Sequence, residues 1–214
     1  MARNDYAITL SSIVLAVLIL LTPAQGSSLI ETGVVMPIAE ASPTLSPFQH
    51  VRFCLRYPGD CKTDPAETAT VELTAATLET LQRVNRDVNA AIMPVAKNNP
   101  VTDGGWTISP ASGDCNDYAV TKRHELMQSG LPAKAVRLAV VKTQSGIGHL
   151  ILVVATNKGN LVLDNLSETI VPWQLTKYHW LKIQSAGDAR YWFEIKPRGM
   201  VLSQIDRKLG SADR

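Results

Sequence analysis

The 214-residue sequence predicts an α+β fold, and three observations point to it. Apolar residues recur at three- and four-residue spacing across 73–93, which is one face of a helix. A second stretch, from 114 or 115 to 128, carries helix start and stop chemistry. Beyond residue 135 the pattern changes to period two with β-branched residues, so helices are followed by an antiparallel sheet.

Each element follows from its residues. Arg3 precedes an uninterrupted apolar run from Ile13 to Leu21, and Ala24-Gln25-Gly26 offers small residues where a signal peptidase would cut. Residues 1–26 therefore read as a secretory signal, with a retained membrane anchor as the alternative; the run is short for a full span. Residues 27–47, rich in Ser, Thr and Pro, read as a flexible leader, and 48–196 as one domain without internal repeat or boundary. In the first helix Leu78, Leu81, Val84, Val88 and Ile92 form the apolar face, Thr74 is the expected N-cap and Leu73 with Leu78 the staple across it. Pro94 and Asn98-Asn99-Pro100 end that helix. The second helix closes at Ser129-Gly130 with Pro132 beyond. Residues 135–143, 149–156, 161–166 and 191–195 read as strands, and 197–214 as a polar tail.

Composition excludes several classes of function. With 45% apolar and 19% charged residues and a net charge of +2, the chain is neither disordered nor built around nucleic acid, and its basic residues are scattered. A monomer is expected, touching membrane only through an uncleaved signal segment. Export favours pairing of cysteines, and three are present. In Phe53-Cys54-Leu55-Arg56-Tyr57-Pro58-Gly59-Asp60-Cys61 the Pro-Gly turn can bring Cys54 and Cys61 within disulfide reach, which leaves Cys115 as the odd thiol. A pair of separate buried thiols is the other reading.

Cys115 falls in the first turn of the second helix. The unpaired amides and positive dipole end there favour a thiolate, and the same amides could donate to an oxyanion. A cysteine nucleophile needs a base, and four histidines are available. His50 lies in the leader region and His179 in a Trp-rich loop, while His124 sits nine residues along the same helix, roughly 13 Å from Cys115. His149 opens an apolar strand after Gly146-Ile147-Gly148 and is placed to face a cleft. A turn centred on Asn157-Lys158 would join that strand to Leu161-Val162-Leu163-Asp164 and make Asp164 the diagonal neighbour of His149 on one face. An acid in so apolar a strand needs a partner.

The order Cys, His, Asp, in the strings Gly113-Asp114-Cys115-Asn116-Asp117-Tyr118-Ala119, Gly148-His149-Leu150 and Leu163-Asp164-Asn165-Leu166, resembles the bacterial transglutaminase-like cysteine proteinases. The likeness runs from Phe53-Cys54 through Asn85, Asn89, Asp103 and Trp106 to Trp192. It implies a papain-like core with the nucleophile at a helix start, a triad of Cys115, His149 and Asp164, and Trp106 lining the oxyanion site. It also implies a periplasmic or secreted peptidase acting on a protein or peptide, a cell-surface adhesin among the candidates, as in the member that clips a large adhesin from biofilm cells. No cofactor is required on this reading. Calcium is the one cation the resemblance suggests, at Asp114, Asn116 and Asp117, although Asn116 stands where calcium-dependent members carry a carboxylate, and simple capping by Asp114 is the competing role. Two rival functions share these residues: acyl transfer to an amine, as in transglutaminases, and a secreted binding domain with Cys115 buried.

Overall fold

A computed structural model describes residues 37–96 and 105–196. The expected signal segment, the C-terminal tail and Asp103 lie outside the described residues. Within them no helix is long and apolar enough to cross a membrane.

The described residues form three α-helices, α1 (Phe48–Arg56), α2 (Ala75–Ala91) and α3 (Cys115–Gln128), set against a seven-stranded antiparallel sheet. The sheet strands are β1 (Glu40–Thr44), β4 (Val136–Lys142), β5 (Gly148–Thr156), β6 (Gly159–Leu163), β7 (Val171–Pro172), β8 (His179–Gln184) and β9 (Trp192–Ile195). Two short strands, β2 (Met93–Pro94) and β3 (Ser112–Gly113), pair in parallel and bring the chain to the start of α3. The sheet order is β1-β9-β8-β4-β5-β6-β7, so β4 to β7 form a meander and the chain then returns to the far side of β4.

The expected helix boundaries agree closely with these elements. Thr74 caps α2, accepting from Thr77 N at 3.1 Å, and α3 ends at Gly130, whose φ of 90° is the left-handed conformation that glycine adopts freely. Burial follows the spacing in α2, where Leu81, Val84 and Val88 are in the core with Leu150, Leu152 and Val154 of β5. Helix α3 is different, being buried around most of its circumference from Asp117 to Arg123. It therefore occupies the centre of the molecule, held between α2 and the sheet. A second apolar cluster, with Ala139, Val141, Ile151, Val153 and Trp173, covers the other face of the sheet.

Three expectations need correction. Residues 40–44, assigned to the flexible leader, form β1 and pair with β9, because Glu40 is also held by Arg137 at 2.8 Å. His50 does not lie in a leader: it is a buried residue of α1, a nine-residue helix too short to be evident from periodicity. His179 is not in a loop but opens β8, whose pairing with β4 shifts register between Val140 and Val141 and so breaks the alternation that marks a strand.

Candidate active site

The position of Cys115 is set by local chemistry. Asp114 caps α3, its Oδ1 accepting from Asn116 N at 3.0 Å, and Asp117 returns the bond by accepting from Asp114 N at 2.9 Å. Asp117 is fully buried, and its other oxygen accepts from Thr107 N at 2.8 Å, which ties the segment carrying Trp106 to the helix start. Gly113 leaves room for that carboxylate: a Cβ there would come within 2.5 Å of Asp117 Oδ2. The free thiol of Cys115 is half-buried at the resulting helix N-terminus.

The other two residues come from the sheet. Strands β5 and β6 pair in the expected register, Thr156 with Gly159 and Leu152 with Leu163. That register brings Asp164 to His149, and His149 Nε2 donates to Asp164 Oδ1 at 2.8 Å. Both are buried, at 6% and 5% exposure. Cys115 shares the wall of one cleft with the same ring and acts on its charge, so the imidazole stands between thiol and carboxylate. Burial works against its protonation, yet the bonds and charges of Asp164 and Cys115 outweigh burial and raise the ring to about 9. Burial likewise opposes ionisation of Asp164, but His149, the Tyr178 hydroxyl and Leu166 N, at 3.1 Å, together hold its carboxyl below the usual range.

All three expected residues therefore meet. Cys115 and His149 open on a cleft of about 410 Å³ whose walls include Phe48, Gln49, Trp106, Asn116 and Leu150, while Asp164 lies behind the ring. Trp106 is packed 5.7 Å from the His50 ring on its inner side, so a buried aromatic layer supports the cleft wall. The other histidines are elsewhere: His124 Nδ1 pairs with Asp60 Oδ1 at 2.9 Å, and His179 is exposed. Cys54 and Cys61 form a disulfide with Cα atoms 5.5 Å apart, as expected.

Sequence reasoning missed two residues at the site. The Tyr178 hydroxyl donates to Asp164 Oδ2, and Asn89 Nδ2 donates to the Asp164 carbonyl at 3.0 Å. Neither leaves a local signal, since both act across the fold.

The suggested calcium ligands are occupied in another way. Both Asp117 oxygens accept from backbone amides. Asn116 turns its amide nitrogen, not its oxygen, to Asp114 Oδ2 at 3.1 Å. In this structure the three side chains serve the helix cap.

No curated protein matches the sequence significantly. Among solved structures the chain is similar to Legionella pneumophila LapG, at 20% identity. The EGTA-treated form gives a TM-score of 0.46 over 59% of this chain and 71% of that one, and the calcium-bound form 0.47 over 57% and 71%. The family model for bacterial transglutaminase-like cysteine proteinases matches residues 40–200, which takes in every strand and helix described above. The chain belongs to that family and is a transglutaminase-like cysteine peptidase.

Proposed function

We propose that the protein is exported and cleaves a protein substrate through an acyl-enzyme, with Cys115 as nucleophile, His149 as base and acid, and Asp164 orienting the ring. The observation that carries this reading is a buried imidazole bonded to a buried carboxylate and sharing one cleft with a free thiol at a helix N-terminus.

The Cys115 proton passes to His149, leaving a thiolate beside an imidazolium whose charge Asp164 balances. Sulfur attacks the substrate carbonyl carbon, and the Cys115 backbone N–H, one of the unpaired amides of the first helical turn, receives the oxyanion, with Trp106 closing that side against water. The C–N bond breaks as His149 returns its proton to the departing amine. Water, deprotonated by His149, then attacks the thioester; the acid product leaves and the thiol is restored. Hydrolysis is favoured over amine transfer by family membership. The Cys54–Cys61 disulfide suits an oxidising compartment, and with the apolar run near the N-terminus it supports a periplasmic or secreted location. A large surface adhesin is the substrate class to which the family resemblance points. No step is assigned to calcium.

The test incubates mature protein and its Cys115→Ala variant with exported proteins of the source organism and compares newly formed termini. New termini with the unaltered protein alone support the reading; identical termini in both samples remove it.

A further inference from the structure

Helix α3 carries a lysine that the fold has withdrawn from water. Lys122 is 1% exposed, and its Nζ makes no hydrogen bond. Taking an ammonium out of water is costly unless negative charge or oriented dipoles replace the water. Lys122 follows Cys115 by two helical turns, so the two share a face of α3, and a helical side chain leans back toward the N-terminus, here toward the nucleophile.

The carboxylate whose field reaches Lys122 is Asp164. Helix α2 meets the same end of β6. Asn89 donates to the Asp164 carbonyl at 3.0 Å, and Asn85 donates to the Glu168 carbonyl at 3.0 Å. The side-chain oxygens of Asn85, Asn89 and Asn165 are buried and accept no hydrogen bond. Asn85 and Asn89 thus hold the 164–168 segment through their amide nitrogens, and Asp164 is the carboxylate that acts on Lys122. Other charges near α3 are engaged elsewhere. Arg123 donates to the Asp60 and Val136 carbonyls, Arg137 of β4 pairs with Glu40, and Asp117 accepts from amides. The charged residues of α2, Glu79, Arg83, Arg86 and Asp87, lie on its exposed side. Of the remaining titratable groups on α3, His124 pairs with Asp60, the Tyr118 hydroxyl donates to the Ile92 carbonyl, and Asp114 serves the helix cap.

We propose that Lys122 is a positioning residue of the triad, its ammonium balancing the second negative charge that Asp164 and the Cys115 thiolate together bring into the site. The inference rests on the triad reading above. Thiolate, imidazolium and carboxylate carry one net negative charge in a buried place, and the ammonium brings the sum to zero. Burial lowers Lys122 to about 7 against the pull of Asp164. The balancing charge is therefore present on the acid side of neutrality and fades above it.

Iodoacetamide labelling of Cys115 against pH tests this without a substrate, using the full chain, Lys122→Met and Lys122→Arg, with thermal unfolding measured alongside. In Lys122→Met the acid limb of the labelling rate should move upward by about 0.5 to 1 pH unit, a three- to tenfold slower reaction on that limb. The alkaline limb should stay, Tm should hold or rise, and Lys122→Arg should keep the original acid limb. An unmoved acid limb in Lys122→Met, or a fall in Tm with no movement of the limb, overturns the proposal. A second measurement needs no change at Lys122: its side-chain NMR titration should move to lower pH in Asp164→Asn, and a titration indifferent to that change also overturns it. Absence of fast labelling in the unaltered protein is a separate outcome, which overturns the triad reading and this inference with it.

Discussion

Two buried histidines lie beside sulfur in this molecule, and their surroundings push their basicity in opposite directions. His50, 1% exposed, has its Nε2 3.5 Å from Cys54 Sγ, bonds Gln184 at 3.0 Å and accepts from the Trp192 indole at 3.2 Å. Burial first, then the Arg123 charge, lowers it to about 4. His149 is nearly as buried but faces Asp164 and a free thiol, and is raised to about 9. Burial alone disfavours an imidazolium at both places. What separates them is the neighbour: a carboxylate makes a proton carrier of one ring, whereas neutral donors and a spent disulfide make the other a fixed packing element.

The comparison is tested most strongly by Asp164→Asn, which should make His149 resemble His50. Loss of the carboxylate is expected to lower the rate of Cys115 labelling or substrate cleavage about a thousandfold, with Tm measured to exclude unfolding. A loss below tenfold would mean that Asp164 is not what sets the ring's charge. A smaller effect comes from pH. The imidazolium should persist to about pH 9, so cleavage should fall about tenfold per unit above that value, because the acid that protonates the leaving amine is lost. The two rings also act on stability with opposite signs. His149, raised above its unfolded value near 6.5, contributes stability present below pH 6.5 and lost as pH rises through about 9. His50, lowered, contributes stability present above 6.5 and lost as pH falls through about 4.

His50→Leu sharpens the contrast. It leaves the Trp192 indole N–H and the Gln184 amide without this partner, at a cost of about 1–3 kcal/mol per group seen in thermal or denaturant unfolding. The pH limbs of Cys115 labelling should not move; a shift in them would show that His50 is coupled to the catalytic ring. The smallest effect expected is that of calcium. A site filled at a hundredfold its Kd would add about 2.7 kcal/mol, or about 5 °C or more in Tm, whereas the capping bonds of Asp114 and Asp117 predict no change between millimolar calcium and EGTA. A rise of that size would show that these side chains rearrange around the ion.

Much of the site was legible because its parts are encoded locally. Asp114 and Asp117 around Cys115 are a capping pattern, and the Asn157-Lys158 turn sets the β5–β6 register that carries Asp164 to His149. Helix α1 was not legible, since nine residues hold too few turns for periodicity and the helix is stabilised by burying His50 and Phe53 against distant strands. Strand β8 was hidden by its register shift, and β1 by Ser and Pro that suit an edge strand as well as a linker.

By itself the sequence determined the class of fold, both long helices with their caps, the disulfide and the three residues that meet at the candidate site, because each depends on spacing along the chain. Only the tertiary structure decided the charge on each histidine and the place of Tyr178, Asn89 and Lys122. Protonation depends on which groups lie within a few ångströms in space, and residues far apart in the chain become such neighbours only after the sheet has closed over α3.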